Sequence, residues 1–276
     1  MGRPADVAFT ETAMESGPPP CLAQDYDPDA TGSIRGRVVW QGPPPAPISY
    51  IGYSAPPLSP KANGRQFAHP LVPQVDPKTG GVADVVVRLR GIEPRRSRPW
   101  DHPPVTVEQR ERKLRIVQGD VTSRIGFVRR GDPITMVALD DQFYNLHAEG
   151  PCYFSLAFPV PNSPLQRRLD RSGMVELSSG AGHFWMRGFL VVDDHPYLAR
   201  TDGAGNYALG HVPAGDYDLV GWLPNWHERR RDYDPESGLI VRIAYQPPLE
   251  VIRRIRVEPG LESVVDFIIR ANDFTR

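Results

Sequence analysis

The sequence predicts an all-β protein, and two observations predict it. Of 276 residues, 31 are proline and 25 glycine, against a usual proline share of roughly 5%; proline lacks the amide proton that an inner helical turn needs, so turns are frequent and helix interiors scarce. Between those turns apolar and polar residues alternate, the period that sets one face of a strand on a core and the other in water.

Residues 1–31 are polar, aperiodic and rich in Pro, Asp and Glu, the composition of a disordered arm that orders only on a partner. Ser33 to Trp40 alternates and stops at Gly42-Pro43-Pro44-Pro45, and Asp84 to Arg90 reads as a second strand. The Pro-rich stretch between them, Pro45 to about Gly81, is too long for a hairpin and reads as a surface loop. A second block follows: Val105 to Glu108, Lys113 to Val117, a turn at Gly119-Asp120, Arg124 to Val128, a turn at Arg130 to Pro133, then Ile134 to Leu139. Met174 to Leu177 and Gly188 to Val192 are the strands entering and leaving a loop at Ser178 to Phe189. In the third block Asp202-Gly203-Ala204-Gly205 makes a tight hairpin turn, and Tyr207 with Leu209, then Tyr217 with Leu219, point inward.

Composition narrows the function classes. A 40% hydrophobic content supports a buried core, and a formal net charge of -1 gives no global drive toward nucleic acid or an anionic membrane. The arginine runs Arg229-Arg230-Arg231 and Arg95-Arg96-Ser97-Arg98 read as solvated loops. Two cysteines, Cys21 and Cys152, do not make a disulfide framework, and Cys152 reads as a small buried hydrophobe. No run is apolar enough to span a bilayer, and the sequence as given has no charged-then-apolar leader.

Two resemblances add to this reading. The stretch Gly180-Ala181-Gly182-His183-Phe184-Trp185-Met186 resembles the ligand loop of cupredoxin-like domains in exported bacterial proteins, where a Cys-x-x-His-Pro-Trp-Met pattern holds copper. Phe143-Tyr144-Asn145-Leu146-His147-Ala148 resembles the upstream segment of that family, whose first histidine is the other imidazole ligand. Here Gly180 stands for the cysteine and Tyr144 for the first histidine, so electron transfer is not implied. Separately, Gly32 to Val38, Ala199 to Leu219 and Val257 to Phe267 resemble the carboxypeptidase regulatory-like, or transthyretin-like, β-sandwich. The two together imply a transthyretin-like, Ig-like sandwich over 32–103 plus 194–272, with an inserted or fused cupredoxin-like Greek-key sandwich over 104–193.

The candidate residues follow from these patterns. His147, His183 and Met186, two imidazoles and a thioether, are the donors left for a residual copper site; a retired loop is the plainer reading. His195, in Asp193-Asp194-His195-Pro196, reads as a hydrogen-bonded junction residue. The paired acids Asp140-Asp141 and Asp193-Asp194 read as turn caps. Trp222, Trp226 and Tyr233 read either as core or as an exposed aromatic loop for a sugar or protein. There is no Gly-x-Ser-x-Gly, no His-Glu-x-x-His and no phosphate-binding glycine loop. Three functions therefore stand: a non-catalytic binding or scaffolding protein without a required cofactor, a copper-binding metalloprotein, and a carbohydrate-binding module. The partner is a protein or glycan rather than nucleic acid, and the resemblance implies an exported, periplasmic or extracellular, location.

Overall fold

A computed structural model describes residues 25–53 and 64–275. Most of the expected arm, and Cys21 with it, lies outside the described residues. From Asp25 on the chain is held to the body: the Asp25 amide donates to the Arg95 carbonyl at 2.9 Å, and Pro28–Ala30 forms a short 3-10 turn.

The molecule is built of strands in four main sheets. The long strand β1 (Thr31–Gln41) pairs antiparallel with β16 (Asn206–Pro213) and parallel with both β21 (Glu262–Val264) and β22 (Phe267–Arg270). Its burial alternates along the strand. Facing it is the sheet of β15 (Leu198–Arg200), β4 (Val86–Arg90), β17 (Gly215–Leu223) and β20 (Leu249–Val257), in that order. The fully enclosed Ile34, Val38, Leu89, Leu219 and Phe267 fill the space between them. At about 1.5–3 kcal/mol for each large apolar side chain removed from water, such residues supply most of the driving force.

Asp202-Gly203-Ala204-Gly205 is a tight turn, closed by the Gly205 amide donating to the Asp202 carbonyl, with Gly205 at φ +83°. It does not close a two-stranded hairpin, however. Arg200 pairs with Val86 in one sheet, whereas Asn206 pairs with Arg37 in the other, so the turn carries the chain across the sandwich.

Residues 105–193 form two five-stranded sheets. One runs β11 (Phe154–Phe158), β10 (Tyr144–Glu149), β13 (Gly173–Ser179), β14 (Arg187–Asp193), β8 (Ile125–Arg129). The other runs β12 (Leu165–Arg168), β9 (Pro133–Ala138), β5 (Val105–Arg110), β6 (Lys113–Gln118), β7 (Val121–Ser123). Each sheet contains one parallel pair, β14 with β8 and β5 with β9. Val107, Ile116, Ile134, Met136, Leu146, Leu177 and Leu190 are fully enclosed between the sheets.

β8 and β14 are buried along nearly their whole length. Their alternate residues serve two cores: Val128, Leu190 and Val192 face the sheet interior, while Phe127, Phe189 and Val191 pack with the first sandwich. A strand covered on both faces reads as a continuous apolar run, which is how Phe189 to Val192 reads.

Two hairpin arms tie the halves further. The stretch Pro45 to Gly81, expected as a surface loop, contains β2 (Ser49–Tyr53) and β3 (Gly64–Ala68), and Tyr50 and Phe67 are buried in the second core. The arginine-rich segment after Trp226, also expected as a loop, is β18 (Glu228–Tyr233) paired with β19 (Ile240–Tyr245), and Ile243 is enclosed in that same core.

Candidate functional site

The loop from Gly180 to Met186 joins β13 to β14, and its start is stitched to β10. The Gly180 amide donates to the Asn145 carbonyl at 2.8 Å. A side chain at 180 has no room, because its Cβ would lie 2.5 Å from Asn145 Oδ1, which itself accepts from the Ser155 hydroxyl at 3.0 Å. Any side chain at 180 therefore requires the Asn145 side chain to shift.

Tyr144 closes the pocket beneath the loop. It is fully enclosed, and its hydroxyl accepts from the Arg112 amide at 2.9 Å and donates to Asp140 Oδ2 at 3.2 Å. Arg112 explains why. The β5 to β6 turn has only two residues between paired Arg110 and Lys113, and both, Glu111 at φ +50° and Arg112 at φ +56°, are left-handed. This is the turn geometry that normally selects glycine or asparagine. Here fixed partners offset the backbone cost: Asp140 Oδ2 accepts from the Glu111 amide at 2.6 Å, Tyr144 takes the Arg112 amide, and the Trp185 indole donates to the Arg112 carbonyl at 2.8 Å. Trp185 in turn stacks on Phe67 of the β2–β3 arm, centroids 4.3 Å apart.

Electrostatics agree with a packed pocket. Burial pushes the Tyr144 phenol up to about 12, so it remains a neutral hydrogen-bonding group. Burial, with the Arg112 charge adding to it, pushes His183 down to about 4, so its ring is neutral at physiological pH. The His183 ring meets Tyr144 edge-on at 6.0 Å, and its buried Nδ1 has no hydrogen-bond partner. Met186 is enclosed in the core.

His147 does not join them. On β10 the burial alternates, with Tyr144, Leu146 and Ala148 inward and His147 on the other face. Three positions along a strand reverse the side. His147 Nε2 lies 3.1 Å from Glu149 Oε1, its ring packs on Tyr153, and Glu149 is gripped by Arg242 of the β18–β19 arm. The expected three-donor set is thus divided by the sheet. Among the described residues no group of three His, Cys, Asp or Glu side chains could hold a metal ion. The residues do not fit a blue-copper centre, which needs a thiolate and two convergent imidazoles.

The remaining candidates fall as follows. Trp222 and Trp226 are buried, against the exposed-loop reading: Trp222 meets Phe189 at 5.0 Å across the junction, and Trp226 packs with Trp40 and Phe274. Neither can present a ring face to a sugar, and Tyr233, exposed on β18, stands apart from them. Cys152 is only half-buried, against expectation, with its thiol 3.6 Å from the Arg171 carbonyl. His195 is buried at the crossover between the sandwiches, Nε2 3.6 Å from Asp193, and burial lowers its pKa. Asp140 and Asp193 accept from nearby backbone amides, as turn caps do.

No protein-family model matches the chain, and no curated protein matches it. Over about a third of its length the chain is similar to solved cupredoxins. A reduced amicyanin mutant is 19% identical, with 32% of this chain and 81% of that one covered at a TM-score of 0.26. A purple cupredoxin from Nitrosopumilus maritimus is 12% identical, with 33% and 98% covered at 0.25. A reduced Cu(I) amicyanin mutant is 16% identical, with 38% and 97% covered at 0.26. Scores this low leave the second sandwich to be read from its own strands and side chains.

Proposed function

We propose that this chain is a non-catalytic binding or scaffolding protein, in which a cupredoxin-like sandwich over 104–193 has given up its copper site and serves as a structural partner of a transthyretin-like sandwich over 32–103 plus 194–272. One observation carries the reading: the residue standing where an imidazole ligand is expected, Tyr144, instead anchors the left-handed Arg112 of the β5–β6 turn. The crowding of Asn145 against any side chain at 180 supports it, as does the separation of His147 from His183 by the β10 sheet. An exported, periplasmic or extracellular, location belongs to the same reading. Among the described residues no helix is long and apolar enough to cross a membrane.

The test is equilibrium titration of metal-free protein with Cu(II) and Cu(I), followed by electron paramagnetic resonance and visible absorbance. The expected outcome is no stoichiometric bound copper and no thiolate-to-copper band. One equivalent of tightly bound copper, lost in His183→Ala, would overturn the proposal in favour of a copper protein.

A further inference from the structure

Between the sandwiches lies a cleft of about 840 Å³, walled by the β2–β3 arm, by β6 and β7, by the Trp185 to Arg187 loop end and by the Arg200 to Gly203 turn. This volume is in the usual range for a small-molecule site. Its lining is unbalanced in charge. Six cations, Arg65, Lys113, Arg115, Arg124, Arg187 and Arg200, face two carboxylates, Asp84 and Asp202.

The carboxylates do little to neutralise the cations. Asp202 is turned into its own turn, where Oδ1 accepts from the amides of Ala204 and Asn206. Asp84 is shared, lying 3.7 Å from Arg124 and 3.4 Å from Arg200. Glu176 neutralises Arg187, which also donates to the Ile243 carbonyl. Lys113 and Arg115, on the same outward face of β6, make no ion pair among the described residues. Burial also lowers the pKa of Arg124, the sign of a guanidinium paired by less charge than its burial demands.

Asp84 has a further peculiarity. It sits at φ +58°, held by its amide donating to the Thr201 carbonyl at 3.2 Å. Aspartate visits this region more readily than most residues, so the conformation is held at little cost. Here it sets one carboxylate between two arginines, the position an incoming anion would compete for.

We propose that this cleft binds a small polyanion with clustered oxyanion groups, held between Arg124 and Arg200 at the base and Lys113 and Arg115 at the rim, with Asp84 as the internal counter-ion. Paired guanidinium forks suit oxyanions because two parallel N–H groups meet two oxygens. Arg65 lies over Phe67 at 5.6 Å on the opposite wall, where Glu111 at 3.8 Å already offsets part of its charge.

The test is calorimetric titration of the full chain with inorganic pyrophosphate and, separately, citrate, at low and high salt. Saturable binding of either, weakening as salt rises, supports the site, and the preference between the two distinguishes a phosphate from a carboxylate ligand. Lys113→Gln with Arg115→Gln, both exposed, should weaken binding about tenfold or more. Asp84→Asn should strengthen it about tenfold, since asparagine tolerates positive φ and only the charge is removed. The proposal is overturned if neither anion binds wild type or Asp84→Asn below about 10 mM, or if the rim variant, still folded by circular dichroism, binds as wild type does.

Discussion

The pocket under the Gly180 to Met186 loop and the cleft between the sandwiches differ in what their polar groups are doing. In the loop pocket Tyr144, Asp140, Trp185 and the Arg112 backbone are bonded to one another, and a Cβ at 180 would crowd the Asn145 side chain. In the cleft, cations outnumber carboxylates and Lys113 and Arg115 have no ion-pair partners among the described residues. A site whose polar atoms mostly satisfy each other, with His183 Nδ1 the exception, specifies a fold; one with uncompensated charge facing open volume is available to a ligand. On the reading proposed above, the difference teaches that the segment most like a functional motif is the structural one.

The sharpest way to break this contrast is to remove the tyrosine. Tyr144→Ala should cost about 3–5 kcal/mol, as truncation of a fully buried aromatic does, measured by denaturant unfolding. A cost below about 1 kcal/mol would mean that the pocket is loosely packed and able to admit a ligand. Tyr144→Phe keeps the ring and strips the Arg112 amide of its acceptor, and about 1–3 kcal/mol is expected. Gly180→Cys, the change that restores the missing sulfur, should also cost about 1–3 kcal/mol through overpacking against Asn145.

A pH series sharpens the comparison next. His183 and His69 are both held near 4, below the ordinary value of 6.5, with burial the main cause in each. The unfolded chain therefore takes up protons first. Stability is fully present above pH 6.5, falls as pH drops from there toward 4, and levels off below that as far as these two groups decide. Arg112 stands near His183, and Glu228, Arg124 and Arg187 act on His69. His183→Asn should flatten the fall, read from melting temperatures between pH 7 and 4. The smallest effect is expected at the cleft rim, where Lys113→Gln with Arg115→Gln should shift stability by no more than about 0.5 kcal/mol.

Much of the strand content was legible because most strands bury one face. Ser33 to Trp40 and the Tyr207, Leu209, Tyr217 and Leu219 positions read inward from alternation alone, and all four of the latter are buried. The two arms were not legible. Among the described side chains larger than glycine, β2–β3 offers Tyr50 and Phe67, and β18–β19 Ile243, as enclosed residues amid exposed neighbours. β11 and β12 were missed for the same reason, since Phe154 and Phe158 are the only buried side chains of the first and β12 has none.

The site was less legible than the fold. His147 was grouped with His183 by sequence motif, whereas strand parity sends it to the other face. Trp222 and Trp226 interrupt the alternation although both lie in the first core, because the end of β17 is buried on both faces, which resembles exposure when read along the chain. The cleft left almost no sequence signal: Arg65, Arg115, Arg124 and Arg200 come from four separate segments. The left-handed Glu111 and Arg112 were hidden likewise, since neither is a usual residue for that turn and the alternating runs read from the sequence stop four residues apart.

The most direct measurement of the contrast is thermal unfolding of the full chain with a polyanion and with copper, because a ligand that binds the folded state raises the melting temperature by mass action. Saturating pyrophosphate is predicted to raise it, with the rise abolished by Lys113→Gln with Arg115→Gln, while one equivalent of Cu(I) or Cu(II) leaves it unchanged. A rise with copper that disappears in His183→Ala, and none with pyrophosphate, would contradict the assignment of the loop to structure and the cleft to binding.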